Sequence, residues 1–162
     1  MNMKEINGKK ISRVFTYQEY RNHIDDLFSK NMTTGNNHSE EMLNYTKLNI
    51  QRMRRGDKTT KVLEELKLQL DALPSKQDWI VISEAWCGDA SQNLPVLNAV
   101  ASATEKVDLH IILRDENSEI MNDYLTNGGA SIPKMIMFDE NGKEIGDRKS
   151  TTSELQSRGH LV

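Results

Sequence analysis

The stretch that decides the fold is Trp86-Cys87-Gly88-Asp89-Ala90, which holds the only cysteine of the 162-residue chain. Upstream, Trp79-Ile80-Val81-Ile82 is a continuous apolar run, the pattern of a strand buried on both faces. Downstream, apolar residues recur at helical spacing: Leu94, Val96, Leu97 and Val100. Cys87 is therefore predicted at a helix N-terminus, where unpaired N–H groups and the helix dipole favour a thiolate. A lone cysteine is also a common small core residue, so these observations leave an inert thiol open.

A second segment with a functional pattern is Ser131 to Phe138. Pro133 directly precedes another apolar run, which predicts a strand. The first position of a strand is one where a sheet tolerates a missing N–H. Further along, Gly128-Gly129 follows a helical pattern and precedes this strand, so it indicates a turn and not a phosphate-binding loop.

Together these segments resemble the thioredoxin-like superfamily. In that fold a Trp-Cys-Gly-Xaa-Cys motif caps the first long helix, a cis-proline after Ile, Thr or Val lies opposite the nucleophile, and a strand ending in Phe-Xaa-Asn-Gly leads into a hairpin. The matching elements here are Trp86-Cys87-Gly88, Ile132-Pro133 and Phe138 to Ile145, with 46 residues from Cys87 to Pro133. The resemblance implies that Ile132-Pro133 is a cis peptide beside Cys87.

The departures from that pattern concern the second thiol. A dithiol thioredoxin has its resolving cysteine where this chain has Ala90, and a buried carboxylate where it has Val81. Without the resolving thiol, a buried charge would be a cost with nothing to offset it. The stretch Trp86 to Pro95 also resembles a bacterial subgroup that carries a helical N-terminal extension. An engineered cysteine-to-alanine change would look identical at position 90, although Val81 weighs against it.

The predicted fold class is α/β: a thioredoxin-like three-layer fold with a helical N-terminal extension (residues 1–58), the thioredoxin-like domain (59–146) and a polar C-terminal tail (147–162), which shortens the usual C-terminal end. Hydrophobic spacing predicts helices over Tyr17 to Phe28, Met42 to a break at Gly56, and Thr59 to Leu73. The domain is predicted to follow as strand Trp79 to Ala85, helix Ala90 to Ala101, strand Val107 to Leu113, helix Glu119 to Thr126, and strands Lys134 to Asp139 and Lys143 to Ile145.

Thioredoxins end with a helix that packs on the sheet, and the polar tail of this chain is too short and polar to supply an equivalent helix. At most Thr152 to Arg158 would form two turns, with Leu155 as the one clear apolar anchor. One face of the sheet is then expected to be under-covered, and the extra N-terminal helices or another subunit could shield it. A homo-oligomer is therefore left open.

Composition argues against several classes of function. The net charge is −3, and acidic residues flank the basic run Arg52, Arg54, Arg55 and Lys58, so a solvated helix end is favoured over nucleic-acid binding. Four dispersed histidines favour no metal site. The chain shows neither a signal-peptide pattern nor a membrane span, and one cysteine suits a reducing compartment, so a cytoplasmic location is expected.

The preferred functional hypothesis is monothiol redox chemistry. Cys87 would attack a protein disulfide, a glutathione adduct or a peroxide, and Pro133 with the Ile132 backbone would dock the partner as a short strand. Trp86 would shield the thiol site. Three further residues of the motif would shape it: Gly88, Asp89 and Ala90. Opposing effects of the helix end and the Asp89 carboxylate predict a thiol that is only modestly activated. No cofactor is expected beyond an external thiol such as glutathione.

Two alternatives stay open. The first is a non-catalytic module that keeps the fold and binds proteins through the groove around Pro133. The second is a glutathione-assisted cluster carrier of the monothiol-glutaredoxin type, which is weaker because the expected basic residues after the cysteine are not evident. A peroxiredoxin is disfavoured, because Ser83-Glu84-Ala85-Trp86-Cys87 lacks the usual Pro-Xaa-Xaa-Xaa-Thr-Xaa-Xaa-Cys approach.

Overall fold

A computed structural model describes residues 3–149, so the predicted turns around Leu155 lie outside the described residues. The elements in chain order are β1 (Glu5–Ile6), β2 (Lys9–Lys10), α1 (Tyr17–Ser29), α2 (Glu40–Thr59), α3 (Glu64–Asp71), β3 (Gln77–Ser83), α4 (Gly88–Ser102), β4 (Val107–Leu113), α5 (Ser118–Met121), a 3-10 turn (Asn122–Tyr124), β5 (Lys134–Asp139) and β6 (Glu144–Lys149). The strands β3 to β6 form one mixed sheet in the order β4-β3-β5-β6, in which β3 and β4 run parallel and the other neighbours antiparallel. The predicted α/β class and thioredoxin-like arrangement are confirmed.

The central strand β3 is buried on both faces, as its apolar run predicted. Ile80, Val81 and Ile82 are each at most 1% exposed. Because side chains alternate along a strand, Val81 packs with the helices α1, α2 and α4, while its two neighbours pack on the opposite face. We call the first the helical face and the second the hairpin face.

The hairpin face is covered by a segment for which the sequence analysis gave no structure. β1 and β2 pair as a short hairpin whose turn, Asn7-Gly8, has positive φ at both residues. Positive φ at both central residues is the requirement of the tight hairpin turn that Asn-Gly favours. Together with α5 and the 3-10 turn, four apolar side chains of the segment 3–14 pack on this face of the sheet: Met3, Ile6, Ile11 and Val14. Residues 3–14 therefore cover the hairpin face, and the N-terminal helices cover the helical face.

The N-terminal helices instead share the helical face with α4. Thr16 caps α1 in a capping box with Glu19, and Ser39 caps α2, so both helices begin where polar caps satisfy the first N–H groups. The predicted break at Gly56 is wrong, because α2 continues to Thr59. A Cβ on Gly56 would lie 2.7 Å from Pro95 Cβ, so this glycine allows α2 to pack closely on α4.

Three of the other predicted boundaries differ most from the structure. The third helix is α3, which begins only at Glu64 because Thr60 ends α2 in an extended conformation and Leu63 is also extended. The helix predicted over Glu119 to Thr126 is one short α-helical turn followed by the 3-10 turn, and Leu125 is extended. β6 runs from Glu144 to Lys149, beyond the predicted strand Lys143 to Ile145.

Candidate functional site

The cysteine lies in the connection between the end of β3 and the start of α4. Cys87 is the N-cap of α4, with φ −80° and ψ 114°, and its N–H donates to the carbonyl of Glu84 at 3.1 Å. This turn leaves the side chain half-buried at the start of the helix. Next to it, Ala90 and Val81 are both 1% exposed and belong to the same apolar core on the helical face.

The segment before β5 closes the other side of the cysteine. The Ile132-Pro133 peptide bond is cis, and Pro133 is buried. The Cys87 thiol lies 3.6 Å from the carbonyl oxygen of Ile132, to which it donates a weak hydrogen bond. The structure thus brings together the motif at 86–90 and the motif at 132–133, which are far apart in sequence.

The electrostatics of the thiol differ from the sequence-based expectation. Burial, the largest effect, raises the pKa of Cys87 above the ordinary value of a cysteine. The backbone N–H groups of Ala90 and Asp89 and the charge of Arg114 lower the pKa, whereas the exposed Asp89 carboxylate raises it. The predicted mild activation is wrong in direction, because it weighed the helix end against Asp89 and left out desolvation.

Trp86 is held from two sides. The Arg114 guanidinium lies 4.9 Å from the centroid of its ring, within the range of a cation–π contact. On another side, a Cβ on Gly35 would lie 3.6 Å from Trp86 Nε1 and 2.7 Å from an Asp115 carboxylate oxygen. Gly35 has φ +77°, so the close approach and the backbone conformation both require glycine there. The loop between α1 and α2 therefore forms part of the site's surroundings.

A buried carboxyl group near the motif was not singled out from the sequence. Glu84 is 1% exposed, and its Oε1 accepts a hydrogen bond from the Asp115 N–H at 2.9 Å. Its Oε2 has no hydrogen-bond partner among the described residues, and burial raises the pKa of this carboxyl group. An acidic residue directly after an apolar strand was the signal that could have identified it.

The extension also contributes a polar network under the start of α4. The Asn49 amide, 1% exposed, donates to the carbonyl of Ala85 at 2.9 Å. Its Oδ1 accepts from Arg52 Nη1 at 3.1 Å and lies 3.1 Å from Ser91 Oγ. Arg52 was assigned from the sequence to a solvated helix end, which is wrong for this residue: its guanidinium lies against Gly88. Spacing along the chain gave no signal for this contact.

The described residues give two findings on other site classes. Between residues 3 and 149, no three His, Cys, Asp or Glu side chains converge in a way that would hold a metal ion. None of the helices in the same range has the length and apolar character needed to cross a membrane.

The fold and the cysteine at the head of α4 define a thioredoxin-like protein, and comparison with known families agrees. A thioredoxin family model matches residues 35–157, and the chain belongs to this family. The matched span begins in the loop that contacts Trp86 and includes the whole of α2. No match was found among curated proteins.

Two solved structures share the fold. One is a protein of unknown function from Pseudomonas aeruginosa, with 17% identity and a TM-score of 0.57, covering 90% of this chain and 83% of that chain. The other is an HIV epitope scaffold, with 17% identity and a TM-score of 0.54, covering 91% of each chain. At this level of identity the likeness concerns the fold alone, and it extends over the N-terminal extension as well as the domain.

Proposed function

We propose that this chain is a monothiol redox protein, in which Cys87 undergoes thiol–disulfide exchange without an internal resolving cysteine. The observation that carries the proposal is the position of the thiol: half-buried at the N-cap of α4 and 3.6 Å from the Ile132 carbonyl, next to Pro133. A partner chain laid beside this carbonyl would bring its disulfide next to the sulfur. Ala90 stands where a second thiol would be needed for release.

The absence of a second cysteine determines how the mixed disulfide on Cys87 is released. A mixed disulfide on Cys87 is released only when another thiolate attacks it, and the chain contains no other cysteine. An external thiol, for example glutathione, is the reductant in this proposal, and proteins with accessible disulfides or thiols are the substrates. The bacterial, cytoplasmic setting expected from the sequence would supply such a thiol.

Burial of the cysteine favours a second candidate. Because desolvation raises the pKa of Cys87, little thiolate is present at neutral pH, which slows nucleophilic attack. A non-catalytic module that binds proteins through the groove around Pro133 does not need a reactive thiol. The two candidates differ in whether Cys87 itself is required.

Trapping of a protein disulfide, with insulin as the probe, separates the candidates. Without a reductant, mixed disulfides through Cys87 should collect on non-reducing gels, and dithiothreitol should release them. In insulin reduction driven by dithiothreitol, the raised pKa of Cys87 should keep the wild-type rate low. Ala90→Cys should gain some dithiol activity, less than an ordinary thioredoxin because Val81 cannot relay a proton. A wild type that forms no mixed disulfide through Cys87 would contradict the monothiol proposal. If Cys87→Ser binds the same proteins equally well without forming a covalent adduct, the binding module replaces it.

A further inference from the structure

The short segment directly before Pro133, from Ala130 to Ile132, is hydrogen-bonded to the rest of the molecule at two points. The Cys87 thiol donates to the Ile132 carbonyl at 3.6 Å, and Arg114 Nη1 donates to the Ala130 carbonyl at 3.4 Å. No other hydrogen bond joins this segment to another one within the part of the chain that the structure describes. The position of its backbone therefore depends on one cysteine and one arginine.

Formation of a mixed disulfide removes the first of these two hydrogen bonds. Once Cys87 has lost its proton and its sulfur is bonded to another sulfur, the Ile132 carbonyl has lost its donor. That carbonyl is then free to accept an N–H from a partner that lies beside it as a strand. At that stage the hydrogen bond from Arg114 is the one that still holds the segment.

Arg114 is itself fixed by its neighbours. Its Nε donates to Asp115 Oδ1 at 2.9 Å, and its guanidinium lies 4.9 Å from the centroid of the Trp86 ring. Asp115 is anchored in turn, because its N–H donates to the buried Glu84 carboxyl group at 2.9 Å. A planar guanidinium with several N–H donors can make these contacts and the bond to Ala130 together, whereas a lysine ammonium cannot reproduce that geometry. Arg114 thus connects the turn that carries Trp86 to the backbone at Ala130.

We propose that Arg114 is a positioning residue for protein partners: it holds the backbone from Ala130 to Ile132 in place while a partner docks there as a strand and Cys87 attacks its disulfide. This inference rests on the proposed monothiol function. Arg114 acts through the Ala130 carbonyl and needs no contact with the partner. A small disulfide does not dock as a strand, so its reaction with Cys87 does not depend on this hydrogen bond.

The step that Arg114 assists is one substitution at sulfur. The Cys87 thiolate attacks one sulfur of the partner disulfide, a new S–S bond forms, and the original S–S bond breaks. The second partner sulfur leaves as a thiolate with the electron pair of the broken bond. Arg114 transfers neither a proton nor an electron in this step.

The test compares a protein disulfide with a small neutral one. The rate of mixed-disulfide formation on Cys87 is measured without a reductant, with insulin and with bis(2-hydroxyethyl) disulfide, for the wild type, Arg114→Lys and Arg13→Lys. Lysine keeps the positive charge, which matters because the charge of Arg114 lowers the pKa of Cys87. Arg13 is the matched control: its guanidinium also lies 4.9 Å from the centroid of an aromatic ring, that of Phe15, and pairs with Glu116. Thermal unfolding of each variant checks that it is folded.

We expect Arg114→Lys to slow the reaction with insulin by about three- to ten-fold, the effect of losing one hydrogen bond of ordinary net strength. Its reaction with bis(2-hydroxyethyl) disulfide should match that of the wild type, and Arg13→Lys should match the wild type with both disulfides. Equal slowing with both would show that Arg114 acts on the thiol itself. No slowing would show that docking does not need this hydrogen bond. Either result overturns the assignment.

A second measurement does not depend on insulin. In the hydroxyethyl adduct of Cys87, the backbone amides from Ala130 to Ile132 should have lower NMR order parameters in Arg114→Lys than in the wild type, and equal values overturn the assignment. If wild-type Cys87 reacts with both disulfides, the proposed function stands whatever Arg114 does. If it reacts with the small disulfide alone, this inference fails while thiol exchange through Cys87 remains. If it reacts with neither, both proposals fail.

Discussion

The two faces of the sheet are covered in different ways, although consecutive residues of β3 point into both. The helical face is closed by α1, α2 and α4, whose long amphipathic stripes bury Leu94 completely. The hairpin face is closed by residues 3–14, which contain two strands of two residues each, together with the short helical turns near Tyr124. The cysteine belongs to the helical face. The comparison shows that the N-terminal extension completes the domain on both sides and supports the site on one.

The largest expected effect contrasts one core residue from each face. Leu94→Ala should lower the free energy of unfolding by about 3–5 kcal/mol, because the rigid helical layer cannot collapse into the cavity. Ile6→Ala should cost about 1–2 kcal/mol, because a short hairpin can shift or open locally. Urea unfolding followed by tryptophan fluorescence gives both values. Equal losses would show that the two faces are equally rigid, which would contradict the difference between them described above.

A smaller effect tests whether the contact between α2 and α4 controls the cysteine. Gly56→Ala places a Cβ 2.7–2.8 Å from the Pro95 ring, so the two helices must separate. We expect a loss of about 1–3 kcal/mol in the free energy of unfolding, together with faster alkylation of Cys87 as its burial falls. Lys58→Ala, at an exposed position of the same helix, is the control. Destabilisation with an unchanged alkylation rate would separate the cysteine from this contact.

The smallest effect concerns the charge next to the thiol. Removing one exposed carboxylate in water-like surroundings changes the interaction by about 0.7 kcal/mol, or about half a pKa unit. Asp89 raises the pKa of Cys87, so Asp89→Asn should lower that pKa and increase the thiolate at pH 7 about threefold. The rates of the two proteins should converge at a pH above both pKa values.

Iodoacetamide alkylation across pH measures the effect of Asp89, with Asp108→Asn as a control at the opposite end of the sheet. An unchanged or raised pKa of Cys87 in Asp89→Asn would contradict this account of the site. The result also separates the contribution of charge to the pKa of Cys87 from the contribution of its burial on the helical face.

The long, strongly patterned elements could be predicted from the sequence. β3, α4 and β4 follow from apolar runs and helical spacing, and Asn141-Gly142 indicated the hairpin between β5 and β6. The first hairpin carries the same dipeptide at Asn7-Gly8, but its strands are too short and too charged to show alternation. Gly56 was interpreted by its low helix propensity, whereas its packing against Pro95 keeps it inside α2.

The site could be predicted in part. The positions of Cys87 and Ile132-Pro133 depend on local motifs and on the fold that these motifs resemble. The contacts of Arg52 and the burial of Glu84 depend on how separate elements pack, and no spacing along one chain encodes that. For the same reason, the direction of the pKa shift at Cys87 was missed: burial is a property of the assembled core.

Turnover of a glutathione mixed disulfide tests the central claim most directly. The substrate is a small thiol linked to glutathione, glutathione is added as the external thiol, and the wild type is compared with Cys87→Ser. The account predicts a wild-type rate that exceeds the uncatalysed exchange and increases with glutathione concentration, and no rate above background for Cys87→Ser. A wild type that is indistinguishable from Cys87→Ser at every glutathione concentration would contradict it.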